Sequence, residues 1–275
     1  MKTNYEVLSI KGKIRPVNQD NYYVNGWTKK MEDNDGQSCG SLDKEYQIFA
    51  VCDGMGGEEA GEVAAAIAIE HLYHYSPKSF ENHWSDYIDE ANRKICEYED
   101  THNMKMGTTF ASLYITPDKV ISINVGDSRV YQIRDGKIRQ LTKDHNEYQT
   151  MLESGIIADE KRMKKAKSRL TQCLGIPEST FKLEPYVVEL EAAVEGDIYL
   201  LCSDGLYGVL SEEQIINTVL SYRKQKNCIC KNLVEIAEKC GSRDNITAMV
   251  VYVDKSRSIF AKSQNMIKKF LNSRR

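Results

Sequence analysis

The sequence predicts an α+β fold, with antiparallel sheets and helices packed on their outside. Strand-like and helix-like segments arrive in blocks rather than in strict alternation, which disfavours a parallel βαβ design. Ile121, Ile123 and Val125 alternate with Ser122 and Asn124, and Val130-Tyr131-Gln132-Ile133 turns at Asp135-Gly136 into Lys137-Ile138-Arg139, a meander of half-buried strands. Ala60, Val63, Ala64, Ile67, Ala68, Leu72 and Tyr75 recur at the spacing of one helix face. No internal repeat interrupts this order.

Taken along the chain, residues 4–10 and 20–25 read as strands. Between them a polar connection, Lys11-Gly12-Lys13-Ile14-Arg15-Pro16-Val17-Asn18-Gln19-Asp20, ends in an acid. Residues 28–45, rich in Asp, Gly, Ser and Lys, read as a mobile hairpin loop. The chain is organised around Ile48-Phe49-Ala50-Val51-Cys52-Asp53-Gly54-Met55-Gly56-Gly57. There an apolar run ends on a carboxylate and glycines crowd in behind it, allowing φ > 0 and close backbone approach. The helix over 60–75 follows, with Glu58, Glu59 and Glu62 suited to the positive end of its dipole. Residues 80–103 read as a second helix antiparallel to it, and residues 107–116 as a strand. Residues 143–182 break the rhythm with a short helix, a Ser154-Gly155 stop and a very basic stretch. Strands over 184–190 and 197–202, helices over 211–222 and 229–240, and a last strand over 245–253 complete the domain.

Length, 41% apolar and 28% charged residues fit an ordinary globular protein with a large core. A net charge of −3 gives no reason to expect nucleic acid as a partner. The amino terminus lacks a signal pattern, and no run approaches the roughly 18–20 apolar residues of a membrane span. The eight cysteines are therefore expected to be reduced, in the cytoplasm. Cys52 and Cys202 read as small buried hydrophobes, and Cys228-Ile229-Cys230 is one residue too tight for a zinc-type pair. The tail over 255–275 carries seven Lys/Arg and no acid. Its apolar residues share one helix face, as expected of a docked or frayed terminal helix. A weak membrane-surface or partner helix is the alternative, which confines any membrane contact to the tail.

Four Asp-Gly pairs occur, and any such pair is first of all a turn. Asp35 lies in a polar loop and Asp135 in a hairpin, so both are assigned to turns. Asp53 and Asp204 each follow an apolar run and lie close to the core, where a carboxylate is costly unless paired or bound to a cation. With Asp244, Asp20 and Asp127 they suggest one oxygen-ligand metal site assembled by folding, with the Gly54 carbonyl as a further ligand. Oxygen donors select hard ions such as Mg²⁺ or Mn²⁺. Two such ions activate a water between them for attack on an electrophile such as phosphorus. Arg15, five residues before Asp20, offers a planar fork for phosphate oxygens. There is no Cys-x5-Arg, no Gly-x4-Gly-Lys and no His-Glu-x-x-His, and His71 and His74 read as interfacial histidines.

Eight motifs in order then resemble the metal-dependent protein phosphatase family (PPM or PP2C type), in its bacterial branch. They are Arg15-Pro16-Val17-Asn18-Gln19-Asp20, Asp53-Gly54-Met55-Gly56-Gly57, Gly107-Thr108-Thr109, Gly126-Asp127-Ser128-Arg129, Leu141-Thr142-Lys143-Asp144-His145, Leu170-Thr171-Gln172-Cys173-Leu174-Gly175, Ser203-Asp204-Gly205 and Asp244-Asn245-Ile246-Thr247. The resemblance spans residues 4 to 253. It implies a central β-sandwich of two antiparallel sheets flanked by helix pairs, in a catalytic domain over 1–254 with a flap at about 143–180. It implies hydrolysis of phosphoserine and phosphothreonine by metal-bound water, with two Mn²⁺ or Mg²⁺ ions and a third, weaker position. Asp53 would bridge the metals, the Gly54 carbonyl would bind the first, and Asp204 and Asp244 the second. Asp20 would act through bound water, Asp127 at the third position, and Arg15 on the phosphate.

Two departures from the eukaryotic pattern stand out. Met55 replaces a histidine often assigned as general acid, leaving protonation of the alkoxide to metal-bound water. Gln19 replaces a glutamate, which removes charge beside Asp20. The flap residues Lys161, Arg162, Lys164, Lys165, Lys167 and Arg169 read either as a solvated basic loop or as a device that steers acidic phosphoproteins. The expected partners are phosphorylated proteins and an opposing Ser/Thr kinase, met by a monomer. The rival reading is a catalytically silent, phosphoprotein-binding regulatory module of the same fold. A metal-dependent nuclease or phosphodiesterase lacks a basic track apart from the flap and tail.

Overall fold

The central strands of this chain are apolar on both faces because each sheet is covered on both sides. A computed structural model describes residues 1–56, 60–156, 159–222, 225 and 228–254. In chain order these form β1 (Lys2–Ile10), β2 (Asp20–Val24), β3 (Gly36–Asp43), β4 (Gln47–Met55), α1 (Gly61–His71), α2 (Phe80–His102), β5 (Gly107–Thr108), β6 (Phe110–Ile115), β7 (Lys119–Val125), β8 (Arg129–Arg134) and β9 (Lys137–Gln140). They continue as α3 (Glu147–Glu153), α4 (Glu160–Lys167), β10 (Tyr186–Glu191), β11 (Ile198–Cys202), α5 (Asp204–Tyr207), α6 (Glu212–Tyr222), α7 (Ile229–Lys239) and β12 (Ile246–Asp254).

One sheet has the order β3-β1-β12-β11-β8-β9 and the other β10-β7-β6-β4-β2, with β5 paired to β4. Every pairing is antiparallel. Period-2 alternation sorts the strand residues into three apolar layers. Phe49, Val51, Tyr199, Leu201, Met249 and Val251 fill the seam between the sheets. Ile48, Ala50 and Cys52 face outward onto α1 and α2, while Leu200, Cys202, Ala248 and Val250 face α6 and α7. The sandwich flanked by helix pairs is thus as expected. Both Cys52 and Cys202 are fully buried, and all eight cysteines are free. Among the described residues no helix is long and apolar enough to cross a membrane.

Two local expectations are corrected. The stretch over 28–45 is not simply a loop: its second half is β3, laddered along β1 from Ser9↔Gly36 to Lys2↔Asp43. Its sequence, Gly-Gln-Ser-Cys-Gly-Ser-Leu-Asp, has little strand propensity, because an edge strand is held by main-chain bonds and is mostly exposed. The strand expected over 107–116 is broken at Thr109, whose amide and hydroxyl are both turned to Asp53. Gly57, Glu58, Glu59 and the tail over 255–275 lie outside the described residues.

Candidate active site

The same alternation that fills the seam with hydrophobes also decides what ends it. Asp53 continues the inward row of Phe49 and Val51, Ser203 that of Tyr199 and Leu201, Thr247 that of Met249 and Val251, and Asp20 that of Tyr22 and Val24. At one end of the sandwich, hydrophobic filling therefore gives way to carboxylates and hydroxyls. Asp20 and Asp53 are directly opposite one another in the β2–β4 register. Asp20 is 1% exposed, and its Oδ2 accepts from Ser203 Oγ (2.7 Å) and Thr247 Oγ1 (2.6 Å), while its Oδ1 has no partner.

Beyond this layer lies a cleft of about 520 Å³ lined by Arg15, Asp53, Gly54, Asp127, Asp204 and Asp244, among others. The backbone here is crowded: a Cβ on Gly54 would lie 2.0 Å from the Gly61 carbonyl oxygen, and one on Gly205 1.9 Å from that of Asn245. The close approach expected of these glycines is real, and Gly56 takes the positive φ. Asp53 is pinned by its amide to Thr109 Oγ1 (2.9 Å), and Thr109 Oγ1 lies 2.7 Å from Ser128 Oγ.

Desolvation first, and mutual repulsion second, raise the affinity of these acids for protons. Asp20 is pushed up to about 7 and Asp127 to about 7, chiefly by burial. Asp204 rises to about 6, from burial and then from the charge of Asp244. Asp53 is raised well above the usual range, by burial and then by Asp20, Asp204, Asp127 and Asp244. Asp53 and Asp204 lie near enough for the ionisation of each to depend on the other. Asp204 Oδ1 is a second buried oxygen without a partner.

The donor set suits a hard divalent cation: carboxylate oxygens, two of them orphaned, with no nitrogen or sulfur among the acids. The acids border one cavity without forming a closed cage; among the described residues no three are drawn together as an ion would require. Asp244 is turned away onto Arg15, which grips it with Nε (2.8 Å) and Nη2 (2.6 Å).

The protein phosphatase 2C family profile matches residues 21–151 and 157–246. This chain belongs to the protein phosphatase 2C family. It is 30% identical over 257 residues to the Listeria welshimeri serine/threonine phosphatase stp, covering 90% of this chain and 94% of that protein. It also resembles the structure of the S. agalactiae serine/threonine phosphatase (TM-score 0.76, 27% identity, 92% of this chain and 100% of that one covered). The catalytic domain of the phosphatase PstP, in complex with two manganese ions, matches with TM-score 0.73 and 27% identity over 93% of this chain and 100% of that one.

The protein phosphatase 2C profile begins after Arg15 and Asp20, yet the fold brings both to the cleft end. What does so is Asn245, a residue to which sequence reading gave no role. Its Nδ2 donates to the carbonyls of Lys11 and Val17 (2.9 Å each), and its Oδ1 accepts from the Gln19 amide (2.9 Å). One side chain thus moulds the 11–19 connection. Gln19 turns its amide to Glu62 (3.2 Å). Ser203 and Thr247 were also missed as partners of Asp20. Hydroxyls at inward positions just where apolar runs begin or end would have been the signal. Near Asp127, Tyr207 carries Arg129 over its ring at 3.8 Å, with Arg129 held by both oxygens of Asp144 (2.9 and 2.6 Å). The six basic flap residues do not act as a unit: Arg169 pairs with Glu147, Lys167 lies over the Tyr148 ring, and the other four have no ion pair among the described residues.

Proposed function

We infer that this chain is a metal-dependent protein serine/threonine phosphatase that hydrolyses phosphoserine and phosphothreonine on phosphorylated proteins. The observation that carries this reading is the cleft itself, three desolvated carboxylates, a fourth paired with one arginine, and a fifth carboxyl sealed behind them at the end of an apolar seam. Asp53, Asp204 and Asp244, with the Gly54 carbonyl, would hold two Mn²⁺ or Mg²⁺ ions, Asp20 would act through bound water, and Asp127 would serve a third position. Bound there, the metals supply charge neutralisation and a water acidic enough to attack phosphorus.

The chain's own residues do the rest. Ser203 and Thr247 donate their hydroxyls to Asp20 Oδ2 and leave Oδ1 buried without a partner. Asn245 sets the connection that carries Arg15, so the guanidinium stands at the rim with its plane fixed by Asp244. A phosphate dianion offers that fork the same two-oxygen geometry as the carboxylate, and Arg15 is the phosphate-gripping group of this reading. Basic flap residues would draw acidic phosphoproteins toward the cleft. The free cysteines fit a reducing cytoplasm, and an opposing Ser/Thr kinase and a monomeric state complete the proposal.

The test is hydrolysis of a phosphothreonine peptide with and without Mn²⁺, beside Asp53→Asn, with Mn²⁺ binding followed by calorimetry. Manganese-stimulated turnover lost in Asp53→Asn is expected. A folded wild type that binds Mn²⁺ and never turns over would return the silent binding module.

A further inference from the structure

We propose that the pocket between α3 and α4 is a second anion site, which takes an acidic or phosphorylated side chain of the protein substrate while the reacting phosphate lies in the carboxylate cleft. The proposal rests on the phosphatase reading and adds a determinant of which phosphoproteins are preferred.

The pocket has a volume of about 350 Å³. Arg162, Lys165, Ala166 and Arg169 line it at i, i+3, i+4 and i+7, the spacing of one helix face. Lys161 and Lys164, equally basic, do not line it. Its apolar floor is Met151 from α3 and Ala166 from α4, both buried. Three cations thus converge over a greasy floor, with Glu147 as the one acid among them. Arg162 and Lys165 have no ion-pair partner among the described residues, and Arg169 meets Glu147 at 3.2 Å with both side chains about half exposed. Such an exposed pair exchanges readily for a stronger anion, and a phosphate is the stronger partner for an arginine fork.

The pocket's position gives it a purpose. The segment between α4 and Leu170 is a wall one chain thick. Ser168 and Leu170 line the carboxylate cleft, while Arg169 and Ala166 line the pocket. The wall is stitched to α3 by the Glu147 amide on the Arg169 carbonyl (2.9 Å) and by the Asn146↔Leu170 bridge. The two cavities are therefore on the order of 10 Å apart, a span that roughly three residues of extended peptide cover. The cleft's own lining offers one side-chain cation, Arg15, already paired with Asp244. A cationic pocket one wall away adds a second point of attraction at a fixed distance from the reacting residue.

The experiment compares kcat/KM of the Mn²⁺-loaded full chain on peptides with one phosphothreonine and a second residue, varied in position from one to about five residues away. That second residue is phosphoserine, Glu, Ala or Lys. We expect the anionic peptides to be preferred over alanine by about tenfold, through KM and with a loss at high salt. Arg162→Glu with Lys165→Glu should erase that preference, and Glu147→Gln should increase it. Equal rates for phosphoserine and Glu identify a general anion site; a response to phosphoserine alone identifies a phosphate site. A wild type indifferent to the second residue at every position overturns the proposal. So does a preference that survives the double reversal. If the reversal does not fold, Lys165→Gln and Glu147→Gln must still move the preference in opposite directions, or the proposal fails. Should wild type not hydrolyse even a small aryl phosphate, the phosphatase reading fails instead, and equilibrium binding of the doubly anionic peptide to wild type and Glu147→Gln tests the pocket alone.

Discussion

Strand β11 has a carboxylate just beyond each end, and the two could hardly be treated more differently. Asp197, before the strand, is fully buried and fully served: Arg134 holds both oxygens (2.6 Å each), and the Val194 amide (2.9 Å) and the Tyr199 hydroxyl (3.2 Å) add two more donors. Asp204, after the strand, has a buried oxygen with no donor, and feels the charge of Asp244 more strongly than that of Arg15. The first arrangement offsets the cost of burying a charge; the second leaves that cost standing. An acid supplied with its own cation serves the fold. An acid left short of one is available to whatever cation binds, and that difference separates the two carboxylates flanking this strand.

The largest effect that sharpens this contrast is Asp204→Asn. It should lower Mn²⁺-dependent kcat/KM by on the order of a thousandfold, about 4 kcal/mol in the barrier, while Tm measured in chelator stays level or rises, because a repelling charge is removed. A fall in that Tm would break the comparison. Asp197→Ala should do the reverse. Loss of about 3 kcal/mol in urea unfolding is expected, since Arg134 and two other donors lose their acceptor, with turnover per folded molecule retained.

His145 provides a third case, a buried base satisfied in its neutral form. Its Nδ1 accepts from the Gly126 amide (3.1 Å), and burial lowers its pKa from 6.5 to about 4. The unfolded chain therefore binds a proton that the folded chain refuses. The resulting stability is complete above pH 6.5 and lost as pH falls toward 4, by roughly 2–3 kcal/mol. Unfolding of wild type and His145→Asn at pH 7 and 5 should show a shallower acid loss in the variant. The smallest effect is Asn245→Ala, about 1–2 kcal/mol from three bonds to the 11–19 connection, together with a raised KM as Arg15 loses its placement.

The acids that end β4 and β11 were legible in the sequence because an apolar run stopping on Asp-Gly is a local pattern. The three-layer body was legible for a related reason, since its strands and helices announce their periods. β3 was not, because an edge strand draws on its neighbour's main chain and needs no hydrophobic signature. Neither was the work of Asn245, Ser203 and Thr247, which bond to residues more than a hundred positions away. Nor could a run of six basic residues reveal that its helical turn would send Arg162 and Lys165 to one side and Lys161 and Lys164 to the other.

In the middle of one sheet, β1 lies beside β12 from Lys2↔Asp254 to Ile10↔Ile246. Arg15 and Asp20 follow the first of these strands, and Asp244 and Asn245 precede the second. A ribosome must therefore have released nearly the whole domain before the opening residues find their places, the kind of long-range closure that folds slowly. Until that moment Arg15, Asp20, Asp244 and Asn245 are not assembled, so the cleft proposed to remove phosphate does not yet exist in a half-made chain.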